Sequence, residues 1–222
     1  MVSIDAAKAV LQPFLFTPTK PQYIREIERN ATLSYERVHY YLNELEKIKA
    51  VAGRVRGNIK EYSINAKHEL VLKIFSLLEN ERTRKFFYTN PRLGVQLTNL
   101  VSKLLVAFQG QSAVPPGVTR ADIKFIILFG STARGEATPE SDIDVLIAVK
   151  NKDENSEPAA TLVGREMKHL IGKSFSLHVI EVEELRKNWK RQPFYSSMWL
   201  DRIVLYGDEN FWRETLDLGE PT

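Results

Sequence analysis

Apolar and polar positions follow two different periods along this chain. From Ile126 to Val149 the pattern is that of buried strands: Ile126-Ile127-Leu128-Phe129 is an unbroken apolar run that stops at Gly130-Ser131, and Asp142 to Val149 forms a second run after a short polar loop. Successive side chains of an extended chain take opposite faces, so Asp142 and Asp144 share one side and Ile143 and Val145 the other. Phe175 to Ile180 predicts a third strand, and Arg202 to Gly207 a short fourth one. Helical spacing rules elsewhere. Leu70, Val71, Ile74, Leu77 and Leu78 predict one amphipathic helix, extended through Phe86-Phe87-Tyr88 and punctuated by Asn90-Pro91. Leu93, Leu97, Leu100, Val101, Leu104, Leu105 and Phe108 predict a second, and 110–117 a loop. Lys150 to Pro158 reads as a polar loop. Ala159 to Lys173 then forms a helix with Leu162, Val163, Met167 and Leu170 inward, and another helix runs through Glu183-Glu184-Leu185. A terminal helix carries Phe211, Trp212 and Leu216.

The first 66 residues read as three short helices and a hairpin. Ala6, Ala7, Val10, Leu11 and Phe14 share a stripe behind an Asp5 cap, and Pro21 suits the first turn of a helix carrying Ile24 and Ile27. A third helix starts at the N-cap Ser34 and turns Val38, Leu42, Leu45 and Ile48 toward the core. Its outer face presents Tyr35, Arg37, His39, Tyr40, Asn43 and Lys47. Two short strands then flank a tight turn at Gly57-Asn58. Three helices and a basic hairpin resemble a winged helix-turn-helix, with the third helix as recognition helix and the hairpin as wing. From Lys47 to Lys60 there are five basic residues (Lys47, Lys49, Arg54, Arg56, Lys60) and no acid. That clustering suits phosphate contacts, and Arg37, His39, Tyr40 and Asn43 are placed for base edges of duplex DNA. A helical domain for protein contact, with a solvated basic hairpin, is the alternative.

Composition narrows the class. With 222 residues, 43% hydrophobic and 27% charged, the chain has room for two modest domains with real cores. No apolar run approaches the roughly 20 residues that span a bilayer, and the start, Met1 to Phe16, is a short amphipathic run broken by Pro13 rather than a signal. Cysteine is absent, which excludes disulfides and thiolate metal sites. A cytoplasmic location is the expectation. The net charge of +3 is too small to decide on a nucleic-acid partner, so the distribution of charge matters more than its total.

The chemistry concentrates at Gly130-Ser131 and Asp142-Ile143-Asp144. Two same-side carboxylates repel unless something positive lies between them, and a divalent metal is the usual answer. Gly130 lets backbone approach a ligand closely, and Ser131 opens a helix whose free N–H groups can hold phosphate. Phe129-Gly130-Ser131, ten intervening residues and then Asp142-Ile143-Asp144 resemble the signature of the DNA polymerase β-like nucleotidyltransferase superfamily. The wording Gly-Ser-x-Ala-Arg-Gly with Ser-Asp-Ile-Asp is most similar to its minimal nucleotidyltransferase branch in prokaryotes. The resemblance implies an α+β fold with a small mixed sheet flanked by helices. It implies Mg²⁺ (or Mn²⁺) on Asp142 and Asp144, and an NTP, expected to be ATP, with its phosphates on Gly130 and Ser131. Arg134 either touches phosphate or pairs with Glu136 or Glu140. Members of the branch often act as antitoxins that nucleotidylate a partner protein.

The superfamily's third carboxylate, its general base, belongs at the centre of the later strand, where this chain has Leu177-His178-Val179. Glu181 lies three residues on and, by parity, on the opposite face. His178 is therefore either a substitute base and metal neighbour or an ordinary strand histidine. The expected organisation is a winged helix-turn-helix over 1–66, a helical connector over 67–118 and a nucleotidyltransferase domain over 119–222, its opening helix at 92–109. The first connector helix suits either pairing in a homodimer or packing within the chain. Three functions compete. One is NMP transfer to a protein or small-molecule hydroxyl by a DNA-binding enzyme. Another is a transcriptional regulator whose degenerate domain senses nucleotide. The third is an antibiotic-type nucleotidyltransferase, to which the winged helix would be an unexplained addition. A template-dependent polymerase would need fingers and a thumb for which no chain remains.

Overall fold

The computed structural model of the chain describes residues 2–57, 59–109 and 121–221. The expected turn residue Asn58 and the loop 110–117 lie outside the described residues. Two compact units divide the chain, one of Met1–Glu79 with Trp212–Glu220 and one of Asn80–Phe211 with Pro221–Thr222.

In the first unit, α1 (Ile4–Leu11) is capped by Ser3, whose Oγ accepts from Ala6 N at 3.3 Å. The expected cap, Asp5, lies inside the first turn instead, where its charge suits the helix dipole. A 3₁₀ turn (Gln12–Phe14) follows, and Pro21 precedes the two-residue strand β1 (Gln22–Tyr23) rather than opening a helix. Helix α2 (Ile24–Ala31) begins where Glu26 Oε2 accepts from Tyr23 N at 2.8 Å. Helix α3 (Tyr35–Lys47), with Ser34 at its N-cap, buries Val38, Leu42 and Leu45. Ile48, expected inward, is 49% exposed: α3 ends before it, and Lys49 turns the chain away at φ 62°. Strands β2 (Val51–Arg56) and β3 (Ile59–Ile64) pair antiparallel from Arg56↔Ile59 to Val51↔Ile64, and the sheet runs β1-β3-β2.

Helix α4 (Glu69–Thr89) follows, and in the second unit α5 (Pro91–Gln109) leads to β4 (Ile123–Phe129), α6 (Gly130–Arg134) and β5 (Ile143–Val149). Then come α7 (Ser156–Ile171), β6 (Phe175–Glu181), α8 (Val182–Asn188), α9 (Pro193–Asp201) and β7 (Ile203–Tyr206). The sheet order is β6-β5-β4-β7, mixed as expected. Only β5 and β6 are parallel, a pairing that requires the crossover through α7. Helix α10 (Asp208–Thr215) closes the chain and delivers Trp212 and Arg213 to the first unit. There Trp212 meets Phe75 edge to face at 4.8 Å, and Arg213 grips Glu69 through two contacts of 3.0 Å.

One face of the four-stranded sheet packs against α5 and α7, and Phe125, Ile127, Leu146 and Ala148 are buried on the other. Ile143, Val145, Ile147 and Val149 pack with Leu97, Leu100 and Leu104 of α5 and with Ala160, Val163 and Met167 of α7. Leu162 and Leu170, expected inward, are 56% and 68% exposed; α7 buries the narrower stripe through Ala159, Ala160, Val163, Gly164 and Met167. Helix α7 also starts at Ser156, inside the stretch expected as loop. Asp144 belongs to the other face of β5, which fixes where polar chemistry can occur.

Glu46 ties α3 to the hairpin, since its carboxylate accepts from Gly53 N at 3.1 Å and from Lys60 Nζ at 2.7 Å. A Cβ at residue 53 would lie 2.1 Å from Lys60 Cε, so glycine is what lets the lysine cross. The hydrogen bond from Lys60 holds the Glu46 carboxyl below its usual 4.5, burial opposes this, and the Gly53 N–H adds to the lowering. A depressed carboxyl pKa stabilises the fold above the unfolded value and stops doing so as pH falls through the folded one. Glu46→Gln is expected to cost roughly 1 kcal/mol of unfolding free energy at neutral pH, the pair being about one-third exposed. Urea titrations should show the gap to wild type closing as pH falls from the unfolded carboxyl value through the lower folded one.

Candidate functional site

Strand β4 ends and α6 begins within one peptide. Phe129 is extended (φ −145°, ψ −173°), and Gly130 takes φ +74°, a left-handed conformation that side chains strain to adopt. A Cβ on Gly130 would also sit 2.6 Å from Asp144 Oδ2. The backbone therefore rests against the carboxylate, and α6 starts at Gly130, one residue before the expected Ser131. Cross-strand pairing lines up Phe129, Asp144 and Ser176 on one row, with Leu146 and His178 on the same sheet face. Asp142 immediately precedes β5 and is exposed, whereas Asp144 is half-buried.

Partial burial pushes the Asp144 carboxyl above the usual carboxylate range, and the neighbouring Asp142 adds to it. His178 is the strongest influence in the opposite direction, with a Ser176 hydrogen bond and Arg134 also lowering it. Ser176 Oγ and His178 Nε2 are 3.0 Å apart. With a proton on Nε2, the imidazole donates to Ser176, whose own O–H is then available to the Asp144 carboxylate.

Two phenylalanine rings lie beside the His178 ring, which is itself exposed. Phe194, from α9, packs edge to face on Phe129 at 5.1 Å and lies 5.9 Å from the His178 ring, which is itself 6.0 Å from Phe129. Helix α9 has Tyr195, Met198 and Trp199 at helical spacing, although no element was expected there. It also supplies Asp201. Arg134 donates from Nε to Glu136 Oε2 at 2.6 Å and from Nη1 to Asp201, and these carboxylates raise its already high pKa. The expected pairing with Glu136 is present; that with Asp201 had no local signal. Glu181 is engaged elsewhere, at the N-cap of α8 and accepting from Lys152 N at 3.3 Å. Among the described residues no three acidic or histidine side chains gather as a metal site.

The first unit presents a separate candidate surface. Arg37, His39 and Tyr40 are exposed along α3, with Tyr35 stacked on His39 at 6.3 Å and Asn43 Nδ2 3.3 Å from His39 Nδ1. Arg54 and Arg56 alternate onto one face of β2 and are exposed. Lys60 pairs with Val55, on the opposite face of the hairpin, where it binds Glu46 and lies 4.9 Å over the Tyr62 ring. Lys47 is bound to Glu44 at 2.5 Å. Two of the eight candidate contacts thus carry an acidic partner already.

Gly130→Ala is expected to destabilise the protein by about 1–3 kcal/mol, from backbone strain and the clash with Asp144. In an Asp144→Ala background the clash disappears, so the same substitution should cost measurably less. Urea unfolding of the four proteins of the cycle reads the difference, and strict additivity would show that the two residues do not press on each other.

Comparison with curated proteins gives no match. A chain from a crystal structure of a toxin-antitoxin with AMP-PNP is similar over 55% of this chain and 84% of its own, at 16% identity and a TM-score of 0.35. That likeness is too slight to bear on the fold. No described helix is long and apolar enough to cross a membrane. Residues 118–206, which contain Gly130, Ser131, Asp142, Asp144 and His178, match the sequence model of the nucleotidyltransferase domain family.

Proposed function

We propose that the protein transfers NMP from an NTP to an acceptor hydroxyl with release of pyrophosphate, and that its first unit is a winged helix-turn-helix that binds duplex DNA. The observation that carries the first part is Gly130 pressed against Asp144. A strand-to-helix turn with no side chain opens directly onto a carboxylate pair, inside the matched nucleotidyltransferase region.

The donor set fits a hard divalent cation. Asp142 and Asp144 are oxygen ligands; burial first and then repulsion from Asp142 raise the Asp144 pKa, and a cation between the two carboxylates would relieve the repulsion. Asp142 and Asp144 would hold an Mg²⁺ or Mn²⁺ ion. The chemistry such a cation supplies when bound is neutralisation of charge on the triphosphate and the departing pyrophosphate. Gly130 and Ser131 direct first-turn N–H groups at the β- and γ-phosphates. The acceptor oxygen attacks the α-phosphorus as the bond to pyrophosphate breaks, and the acceptor's proton passes to His178, whose ring Ser176 orients. Phe129 and Phe194 hold the His178 ring from one side while it stays open to an acceptor. Arg134 reaches phosphate only by releasing Glu136 or Asp201, so it serves first to hold α6 against α9.

A second reading, a transcriptional regulator that senses nucleotide without turnover, is favoured by one observation: the strand centre offers His178 where the superfamily has an acid, and Glu181 points into other bonds. Only the first reading has an acceptor, a protein or a small molecule, so whether one is labelled decides between them.

Calorimetric titration with ATP and Mg²⁺ should show binding that Asp142→Asn with Asp144→Asn removes; equal binding by both proteins would refute the metal-nucleotide site. Labelled ATP with cell lysate should yield a labelled acceptor, and His178→Ala should slow labelling by roughly 10²–10⁴-fold. Absence of any labelled acceptor with Mg²⁺ or Mn²⁺, despite nucleotide binding, would establish the sensor. For duplex DNA, removing Arg54 and Arg56 should flatten the log–log salt slope by about 0.9 per lost phosphate contact. An unchanged slope would take the wing out of the interface.

A further inference from the structure

The apolar face of the sheet, opposite Asp144, is not sealed at its edge. Between the first turn of α5, the 135–137 loop and the turn from α7 to β6 lies a cleft of about 580 Å³, within the size range of small-molecule sites. Its walls combine Leu93, Ile143 and the Gln96 amide with the side chains of Arg92 and Lys173. Helix α5 is 19 residues long and begins with Pro91, so the N–H groups of Arg92 and Leu93 have no partner within the helix. Its dipole adds positive potential at the same place. Among the described residues Arg92 and Lys173 have no acidic partner; Lys173 Nζ donates only to the Thr138 carbonyl, at 3.1 Å.

An independent observation comes from Thr132, which also lines the cleft. It is 7% exposed, and its hydroxyl oxygen is buried with no hydrogen-bond partner. A buried hydroxyl without a partner is costly, and turning about χ1 exchanges its Oγ1 with its methyl. The cost is removed when something polar occupies the cleft.

We propose that this cleft binds a phosphate monoester the size of a mononucleotide. The phosphate lies between Arg92, Lys173 and the start of α5. The body of the ligand lies along Leu93 and Ile143, and a polar atom of it meets the Thr132 hydroxyl. The site is separate from the Asp142–Asp144 face and does not depend on the proposed reaction. Thr132 belongs to the same short helix as Gly130 and Ser131, so an occupant would steady from below the turn that faces the nucleotide.

The test uses the full chain carrying Asp142→Asn and Asp144→Asn, without divalent metal, so that the opposite face contributes nothing. The probes are 5′-AMP, adenosine and inorganic phosphate. AMP should bind more tightly than either part alone, and Lys173→Gln should weaken it at least tenfold, about what losing one charge-assisted contact costs. Ala137→Trp, from the exposed loop, should block it by filling the cleft. Thr132→Val should raise the melting temperature of the free protein by about 2–4 °C, and saturating AMP should erase that gain. AMP that fails to bind, or that binds equally with Lys173→Gln and with Ala137→Trp in place, would overturn the proposal. So would AMP binding to the wild-type chain that disappears when Asp142 and Asp144 are replaced.

Discussion

The alternation of β5 governs everything in the second unit. Its odd residues, Ile143 to Val149, are wholly buried against α5 and α7, and its even residue Asp144 must emerge on the other side. A slip of one residue would drive the Asp144 carboxylate into that core; beyond it the strand is covered on both faces, Leu146 and Ala148 being as buried as their neighbours. No compensating hydrogen bond exists there, so the register is strongly specified. Because β4 and β6 are bonded to β5 on either side, fixing β5 also fixes Phe129 beside Asp144 and Ser176 beyond it. The polar row exists because the apolar row is immovable.

What could be read from the sequence was what periodicity and turn chemistry encode. The strand ending at Gly130, the α5 stripe, the core face of α3 and the hairpin all announced themselves. Three failures share a cause. Ile48, Leu162 and Leu170 fall at helical spacing, but spacing says nothing of how wide a stripe the neighbouring elements cover or where the helix stops. Helix α9 failed differently. Tyr195, Met198 and Trp199 are buried among Trp189, Phe211 and the guanidinium of Arg202, which stacks 4.0 Å over Trp199. The spacing of Tyr195, Met198 and Trp199 is helical, but the segment is short, and Phe194 and the exposed Leu200 put apolar side chains on other faces and blur the stripe. Phe194 and Asp201, which complete the surroundings of His178 and Arg134, went with it.

Charge behaves locally rather than globally here. The five bases clustered from Lys47 to Lys60 look uniform along the chain, yet α3 places Glu44 and Glu46 beside two of them. Arg134 likewise lies between Glu136 and Asp201. A linear count of charges overstates the free positive potential of both regions, and the exposed Arg54 and Arg56 carry most of what remains on the hairpin.

The placement of Trp212 and Arg213 has a bearing on synthesis. Both belong to the first unit, against Phe75 and Glu69, although more than 130 residues separate them from those partners. A unit whose last pieces are translated after the whole of its neighbour cannot be completed while the ribosome is still making that neighbour. The contacts of Trp212 and Arg213 with Phe75 and Glu69 can therefore form only after residues 80–211 have been made.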